Sequence, residues 1–247
     1  LLSGRTRMVA TVHVSNSLGT INPIAEIVAA AHRAGAPVLI DAAQSIAHYP
    51  LDVQQLDADF LVFSGHKMYG PTGVGVLYGK KEHLQGMPPL YFGGGMVREV
   101  RWEKTTFAPP PQRFEAGTTN IGGLLGLGTA LEFIQGLDRP AAAAHLQDLL
   151  GYATEQLQRI NGLEIIGRAE QKSAILSFSV RDIHPHDMAT MLGSENIAVR
   201  AGHHCTQPVM DLWGLPGATR ASFGIYNRRE EVDRLAAAIR EAVNFFA

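Results

Sequence analysis

A single cysteine among 247 residues excludes an intrachain disulfide and fits a reducing compartment such as the cytoplasm. Charge of one sign is lacking too. Twenty-one Lys+Arg stand against 23 Asp+Glu, a formal net charge of −2, so there is neither a basic excess for nucleic acid nor an acidic tail. No apolar run approaches the roughly 18 residues of a membrane span. No signal-peptide pattern, internal repeat or low-complexity tract is present. The chain also lacks an initial methionine: it opens on Leu1-Leu2 and enters a strand pattern within a few residues, so an N-terminal part is expected to be missing. What remains is ordinary globular material, 46% apolar and 18% charged, long enough for one large domain or two smaller ones.

Residues 8–14 are rich in Val and Thr and predict a strand. Asn22-Pro23 reads as an N-cap with proline at the first helical position, and Ile24, Ile27, Val28 and Ala31 share a helical face. Pro37–Asp41 is a short apolar run ending in a carboxylate, the pattern of a buried parallel strand. Phe60–Phe63 and Val74–Tyr78 are two more such runs. Strand, helix, strand implies a βαβ unit and an α/β fold with a mainly parallel sheet. Residues 86–113, with three successive glycines and three successive prolines, predict a long loop or hairpin excursion. Helices are predicted over 122–136, 140–160, 186–195 and 230–246. Strands are predicted over 163–166, 174–180, 197–200 and 219–226. The reading is therefore a large domain over 1–130 and a smaller α+β domain over 131–247.

Three groups of residues carry possible chemistry. Asp41 ends a predicted strand, Gln44 follows it, and Ser64-Gly65-His66-Lys67 follows the next strand. Open α/β sheets bind ligands beyond their strand ends. A desolvated lysine amine is nucleophilic, and a nearby carboxylate can keep a ring nitrogen protonated, which is the pair a pyridoxal-phosphate site requires. The bland alternative is a solvated lysine and a turn aspartate. The second group is Arg200-Ala201-Gly202-His203-His204-Cys205, where neighbouring positive charge favours a thiolate. The alternatives are a buried inert thiol or a metal site, the latter poor because no second cysteine exists. The third group is cationic: Arg200 and Arg220 are either structural ion pairs or forks for a substrate carboxylate. The turn Gly117-Thr118-Thr119-Asn120 suits a phosphate or an ordinary helix cap.

In this order the pieces resemble the cysteine desulfurases of the SufS/CsdA type, in the aminotransferase class V family. The matching stretches are His13–Asn16, Leu39–Gln44, Ser64–Gly73, Arg113–Thr118 and Arg200–Cys205. The Arg-Ala-Gly-His-His-Cys form is similar to the group with a short active-site cysteine loop, not to the IscS/NifS group. The resemblance implies the fold-type I fold of pyridoxal 5'-phosphate enzymes, working as a homodimer on L-cysteine. It implies that Lys67 is the Schiff-base lysine, Asp41 the pyridinium partner and Gln44 the partner of the phenolic oxygen. Ser64, His66 and Thr118 from the other subunit would hold the phosphate. Asn16 and Arg220, with Arg200 nearby, would take the substrate carboxylate. Cys205 would accept sulfur as a persulfide and pass it to a protein of the SufE/SufU kind for iron–sulfur cluster assembly; no metal is implied. Such proteins are longer, so roughly the first two-fifths is expected to be absent, more than ordinary variation in one domain's length. Alternatives are a selenocysteine lyase on the same scaffold, a catalytically silent truncated subunit, and a cysteine hydrolase that would leave Lys67 without a task.

Overall fold

The computed structural model describes residues 1–246. The chain divides into two compact units, one of Leu1–His13 with Pro23–Leu137, the other of Val14–Asn22 with the chain from Asp138 onward. The fold is α/β.

In the first unit, β1 (Val9–Val12), β2 (Val38–Asp41) and β3 (Phe60–Ser64) form a parallel sheet in that order, with β4 (Gly75–Gly79) beside β3. The apolar run of β2 is buried as expected: Val38 and Ile40 are fully so. They pack with Ile24, Val28 and Ala31 of α1 (Ile24–Arg33), which are spaced four and three apart and so share one helical face. Two local expectations are corrected. Pro23, not Asn22, holds the cap position of α1, because its ψ of 71° is not helical. And β4 is not a buried parallel strand: it runs antiparallel to β3, with Val76 and Leu77 39% and 52% exposed. The connection, residues 65–74, is shorter than the dozen or so residues that a parallel crossover requires.

A buried carboxylate fixes the opposite end of this sheet. Asp59 is 4% exposed. It accepts hydrogen bonds from the Val38 N–H (2.7 Å), Lys80 Nζ (3.0 Å) and the imidazoles of His32 (2.7 Å) and His83 (3.1 Å). Burial alone would raise its pKa, but these donors together hold the carboxyl well below the usual carboxylate range. Asp59 thereby ties α1, β2, β3 and the start of α2 (Lys81–Gly86). Beyond α2, β5 (Val97–Val100) and β6 (Thr105–Phe107) make the expected hairpin excursion. Next comes α3 (Ile121–Gln135), whose first turn is capped by Asn120 Oδ1 accepting from the Gly123 N–H at 3.0 Å.

The second unit begins its main run with α4 (Arg139–Gln158), capped by Asp138. Then follow β7 (Leu163–Ile166), β8 (Ile175–Val180), α5 (Pro185–Ser194), β9 (Arg200–Gly202), α6 (Gln207–Leu212), β10 (Ala218–Ser222) and α7 (Arg229–Phe246). The sheet order is β7-β8-β10-β9, antiparallel throughout. Phe178 of β8 is fully buried among Leu149 and Leu157 of α4, Leu192 of α5 and Ile239 of α7. The strand expected over 197–200 begins only at Arg200, and the one expected over 219–226 stops at Ser222. Ile197, Val199 and Phe223 are apolar because they pack on this core from irregular backbone, not because they extend a strand. No helix among the described residues is long and apolar enough to cross a membrane.

Candidate active site

Because β1, β2 and β3 are parallel, their carboxyl ends meet at one edge, which gathers His13, Asp41 and Ser64. The His13 N–H donates to the Asp41 carbonyl, and the Ala42 N–H to the Val62 carbonyl, both at 2.9 Å. Asp41 Oδ1 accepts from the Ala43 N–H at 2.8 Å, while Oδ2 has no hydrogen-bond partner among the described residues. Half-buried Gln44 lies in the turn that follows, fixed by the buried Ser45 hydroxyl donating to the Ala42 carbonyl at 3.1 Å. Ser64 Oγ and His66 Nδ1 are 2.9 Å apart. Lys67 closes a short 3₁₀ turn, Gly65–Lys67, and is exposed.

The chain around Lys67 is pinned from both sides. Met68 is 1% exposed and packs with Leu127 and Ile134 of α3. Gly65 and Gly70 are required by contact: a Cβ on Gly70 would stand 2.9 Å from the Gly65 carbonyl oxygen, and one on Gly65 would crowd Val74 and Leu127 at 3.0 and 3.3 Å. Lys67 is thus presented on a rigid loop. Lys80, by contrast, is consumed by ion pairs to Asp57 and Asp59 at 2.5 and 3.0 Å. Thr118 is exposed in the turn after Gly117 (φ +82°) and makes no hydrogen bond to Ser64 or His66 within the chain.

His13 opens one of the matching stretches, but the sequence assigns its side chain no role. His13 is 8% exposed, its Nδ1 has no hydrogen-bond partner among the described residues, and its ring meets Tyr49 edge-on at 5.9 Å. Burial lowers its pKa, so the imidazole is neutral. The orphaned nitrogen, the half-satisfied Asp41 carboxylate, the Gln44 amide, the Lys67 amine and the Ser64–His66 pair form a donor set that fits pyridoxal phosphate. They supply one anion for a pyridinium, one amine for an aldehyde, and hydrogen-bond donors for a phenolate and a phosphate.

These shifts set a pH dependence. His13 is depressed from an ordinary value of about 6.5, so below that pH the unfolded chain binds more protons than the folded one. Its contribution is complete above about pH 6.5 and is lost as pH falls through the lower native value. Asp59 is depressed from an ordinary value of about 3.9, so its contribution is complete above that pH and is lost only on stronger acidification. The melting temperature is therefore expected to hold from pH 8 to about 6.5, to decline gently below it, and to fall steeply below about pH 4. A melting temperature that rises between pH 7 and 5.5 would contradict this.

In the second unit, Arg200 of β9 lies directly opposite Arg220 of β10. Like charges in that position repel, and neither arginine has a carboxylate partner within 4.0 Å among the described residues. Arg220 Nη1 donates to the Asn16 carbonyl at 2.6 Å, while its buried Nε is without a partner. Burial first, and then the charge of Arg200, lower the Arg220 pKa, although a guanidinium stays protonated. Neither arginine is therefore part of a structural ion pair among the described residues, which leaves both charges open to an anion. Asn16 Nδ2 donates to the His204 carbonyl at 2.6 Å, leaving its second hydrogen available. Cys205 is exposed, which removes the inert buried reading. Cys205 lies close enough to Arg220 for the two groups to interact electrostatically. Both His204 (φ +54°) and Cys205 (φ +60°) are left-handed, a conformation that costs a non-glycine residue about 1–2 kcal/mol. No group of three or more His, Cys, Asp or Glu that could hold a metal ion occurs among the described residues. A cleft of about 610 Å³ in this unit, between the ends of β7 and β8 and the Leu215–Gly217 loop, contains none of these residues.

Several known proteins are similar to this chain. A cysteine desulfurase of Synechococcus elongatus is 51% identical over 240 residues, which are 97% of this chain and 38% of that protein. The crystal structure of the cysteine desulfurase CsdA from Escherichia coli, in an S-sulfonic acid form, matches with a TM-score of 0.95 at 41% identity, over 99% of this chain and 61% of that one. A C-DES variant with glycine covalently linked to its PLP cofactor matches with a TM-score of 0.83 at 25% identity, over 97% of this chain and 62% of that one. The chain therefore spans between about two-fifths and three-fifths of the length of these relatives. Residues 1–235 match the aminotransferase class-V family, and the chain belongs to that family.

Proposed function

We propose that this chain is the part of a pyridoxal-phosphate-dependent cysteine desulfurase that carries both the cofactor lysine and the sulfur-accepting cysteine. The observation that carries the reading is the exposed Cys205 on a strained loop near Arg220, an arginine that has no carboxylate of its own and stands opposite Arg200. The substrate is L-cysteine, the products are L-alanine and a persulfide on Cys205, and the sulfur goes to an acceptor protein of the SufE/SufU kind for iron–sulfur cluster assembly. A cytoplasmic location accords with one unpaired cysteine.

Lys67 would hold the cofactor covalently through Nζ, and Asp41 Oδ2 would face its ring nitrogen. Gln44 would bond its phenolic oxygen. Ser64 and His66, with Thr118 supplied by a second copy, would hold its phosphate. Bound pyridoxal phosphate supplies an electron sink that acidifies the Cα–H of an amino acid. Arg200 and Arg220 hold the cysteine carboxylate in a charge-assisted fork, with the remaining Asn16 N–H beside it. Lys67 Nζ takes the Cα proton as a general base. Cys205 Sγ bonds to the substrate sulfur while the substrate's C–S bond breaks. The electron pair of that bond and a proton go to the carbon, which leaves as the methyl group of alanine. Thiol plus cysteine gives persulfide plus alanine, so no outside oxidant or reductant takes part.

A homodimer is supported by large apolar side chains left in solvent on the first unit. Leu90, Tyr91, Phe92, Trp102, Ile121 and Leu125 are all at least 60% exposed, side chains of the kind that interfaces between copies bury.

Arg220→Gln tests the carboxylate receptor. Removing one charged fork is expected to lower kcat/KM for L-cysteine by about 10- to 100-fold, mainly through KM, as befits a loss of about 1.5–3 kcal/mol. Alanine release against cysteine concentration measures it. An unchanged KM would show that Arg220 is structural.

A further inference from the structure

His204 is the residue before the reactive cysteine, and its side chain does not face solvent freely. Nε2 lies 3.0 Å from the Ala218 carbonyl at the start of β10. The ring is half-buried, and burial, then Arg220, lower its pKa. Neutral imidazole has one N–H, and the one acceptor its ring meets among the described residues is that carbonyl, so the proton sits on Nε2 and the bond runs from His204 to Ala218. The backbone of the same residue is held separately. Its carbonyl accepts from Asn16 Nδ2 at 2.6 Å, and the Asn16 carbonyl accepts from Arg220 at 2.6 Å. His204 is therefore tied at two points to elements that do not belong to its own loop.

Those ties coincide with the strain. His204 and Cys205 are consecutive non-glycine residues with positive φ. Such a conformation persists only where the surroundings over-determine it. Ala218 does so through the ring and Asn16 through the carbonyl.

We propose that His204 is a positioning residue for Cys205: its anchored ring and clamped carbonyl hold the loop in the left-handed conformation that keeps the thiol near Arg220. Under the desulfurase reading, on which its functional value rests, the receptor for the substrate carboxylate and the sulfur acceptor are then one connected assembly, Arg220–Asn16–His204–Cys205. Substrate sulfur is met by a thiol whose position is set by the same arginine that fixes the substrate.

The test needs neither cofactor nor substrate, so it stands apart from that reading. Cys205 is the chain's only cysteine, so alkylation reports on it alone. The rate ratio for iodoacetate over iodoacetamide, normalised to the same ratio for a small free thiol, senses positive potential at the sulfur while cancelling its general reactivity. A unit charge about 6 Å away in water raises that ratio about threefold. Three variants separate anchor from strain. Asparagine tolerates the left-handed region but is too short to reach the Ala218 carbonyl, so His204→Asn is expected to lose the anionic preference. Glutamine places an amide N–H close to the position of Nε2, so His204→Gln is expected to keep most of it. Asn16→Ala removes the second tie without touching the ring and is expected to lower the ratio. It decides the question if His204→Asn does not fold, as judged by circular dichroism. If the asparagine variant folds and keeps the wild-type ratio, if the glutamine variant behaves like the asparagine one, or if Asn16→Ala leaves the ratio unchanged, the proposal is overturned. Turnover of cysteine by Cys205→Ser would instead overturn the desulfurase reading and leave the positioning result standing.

Discussion

Lys67→Ala is expected to abolish cysteine-dependent alanine formation, a loss of at least about ten-thousand-fold. The reason is that one amine has two tasks, holding the cofactor and moving the Cα proton, and no other lysine in the first unit is placed to substitute. Lys80 is bound to Asp57 and Asp59 at 2.5 and 3.0 Å. Lys81 opens a short helix on the surface, and Lys104 is exposed in the turn between β5 and β6. The variant should fold normally, since Lys67 is exposed and the adjoining Met68 carries the loop's packing, so the melting temperature is expected to correspond to a change within about 0.5 kcal/mol. Borohydride reduction of the wild-type holoprotein followed by peptide mapping is expected to fix the cofactor on Lys67. A label on Lys80 or Lys81 would contradict the assignment.

Cys205→Ser is expected to retain cofactor and to lose nearly all alanine formation from cysteine. It is expected to keep a substantial part of its activity on selenocysteine. Sulfur is not expelled readily without an acceptor, whereas selenium is a better leaving atom. A serine hydroxyl at neutral pH is no substitute for a thiolate, because its pKa lies far higher. The substitution removes one sulfur atom from an exposed position, so a folding defect is not expected. Alanine release from each substrate, on preparations with equal cofactor content, measures the effect. Undiminished cysteine turnover would remove Cys205 from the mechanism. Equal loss on both substrates would make it a substrate-positioning group instead of a sulfur acceptor.

Much of the architecture is legible in the sequence because its strongest patterns are those of burial. Val38-Leu39-Ile40 and Phe60-Leu61-Val62 read as strands because they are short apolar runs, and Val38, Ile40, Phe60 and Leu61 are buried while Leu39 and Val62 are half-buried. Asp41 and the Ser64–Lys67 turn fall at strand ends by position alone, without knowledge of their neighbours. Direction is less legible: the Val74–Tyr78 run has the composition of β2, and only the short connection from β3 makes it antiparallel. Asp59 precedes a strand like any turn aspartate. That it gathers His32, Lys80 and His83 depends on tertiary approach, which no local pattern encodes.

The site is legible in its residue types and not in its pairings. Arg200 and Arg220 each look like a half-buried cation in want of a partner, but that they stand opposite one another follows from the register of β9 on β10. Asn16 can be assigned a substrate only by resemblance, and its bond to His204 joins residues 188 positions apart. The positive φ angles of His204 and Cys205 leave no signal in composition, since neither residue type marks the left-handed region as glycine does. His13 is of the same kind: a histidine ending a strand pattern says nothing of an unpartnered Nδ1.

The most direct measurement is the mass of the Cys205 peptide after brief exposure of the holoprotein to L-cysteine, with no acceptor protein or reductant present. One added sulfur atom is expected on Cys205, formed together with an equal amount of alanine and removed by reductant. Alanine formed while Cys205 gains no sulfur would contradict a desulfurase that works through this thiol.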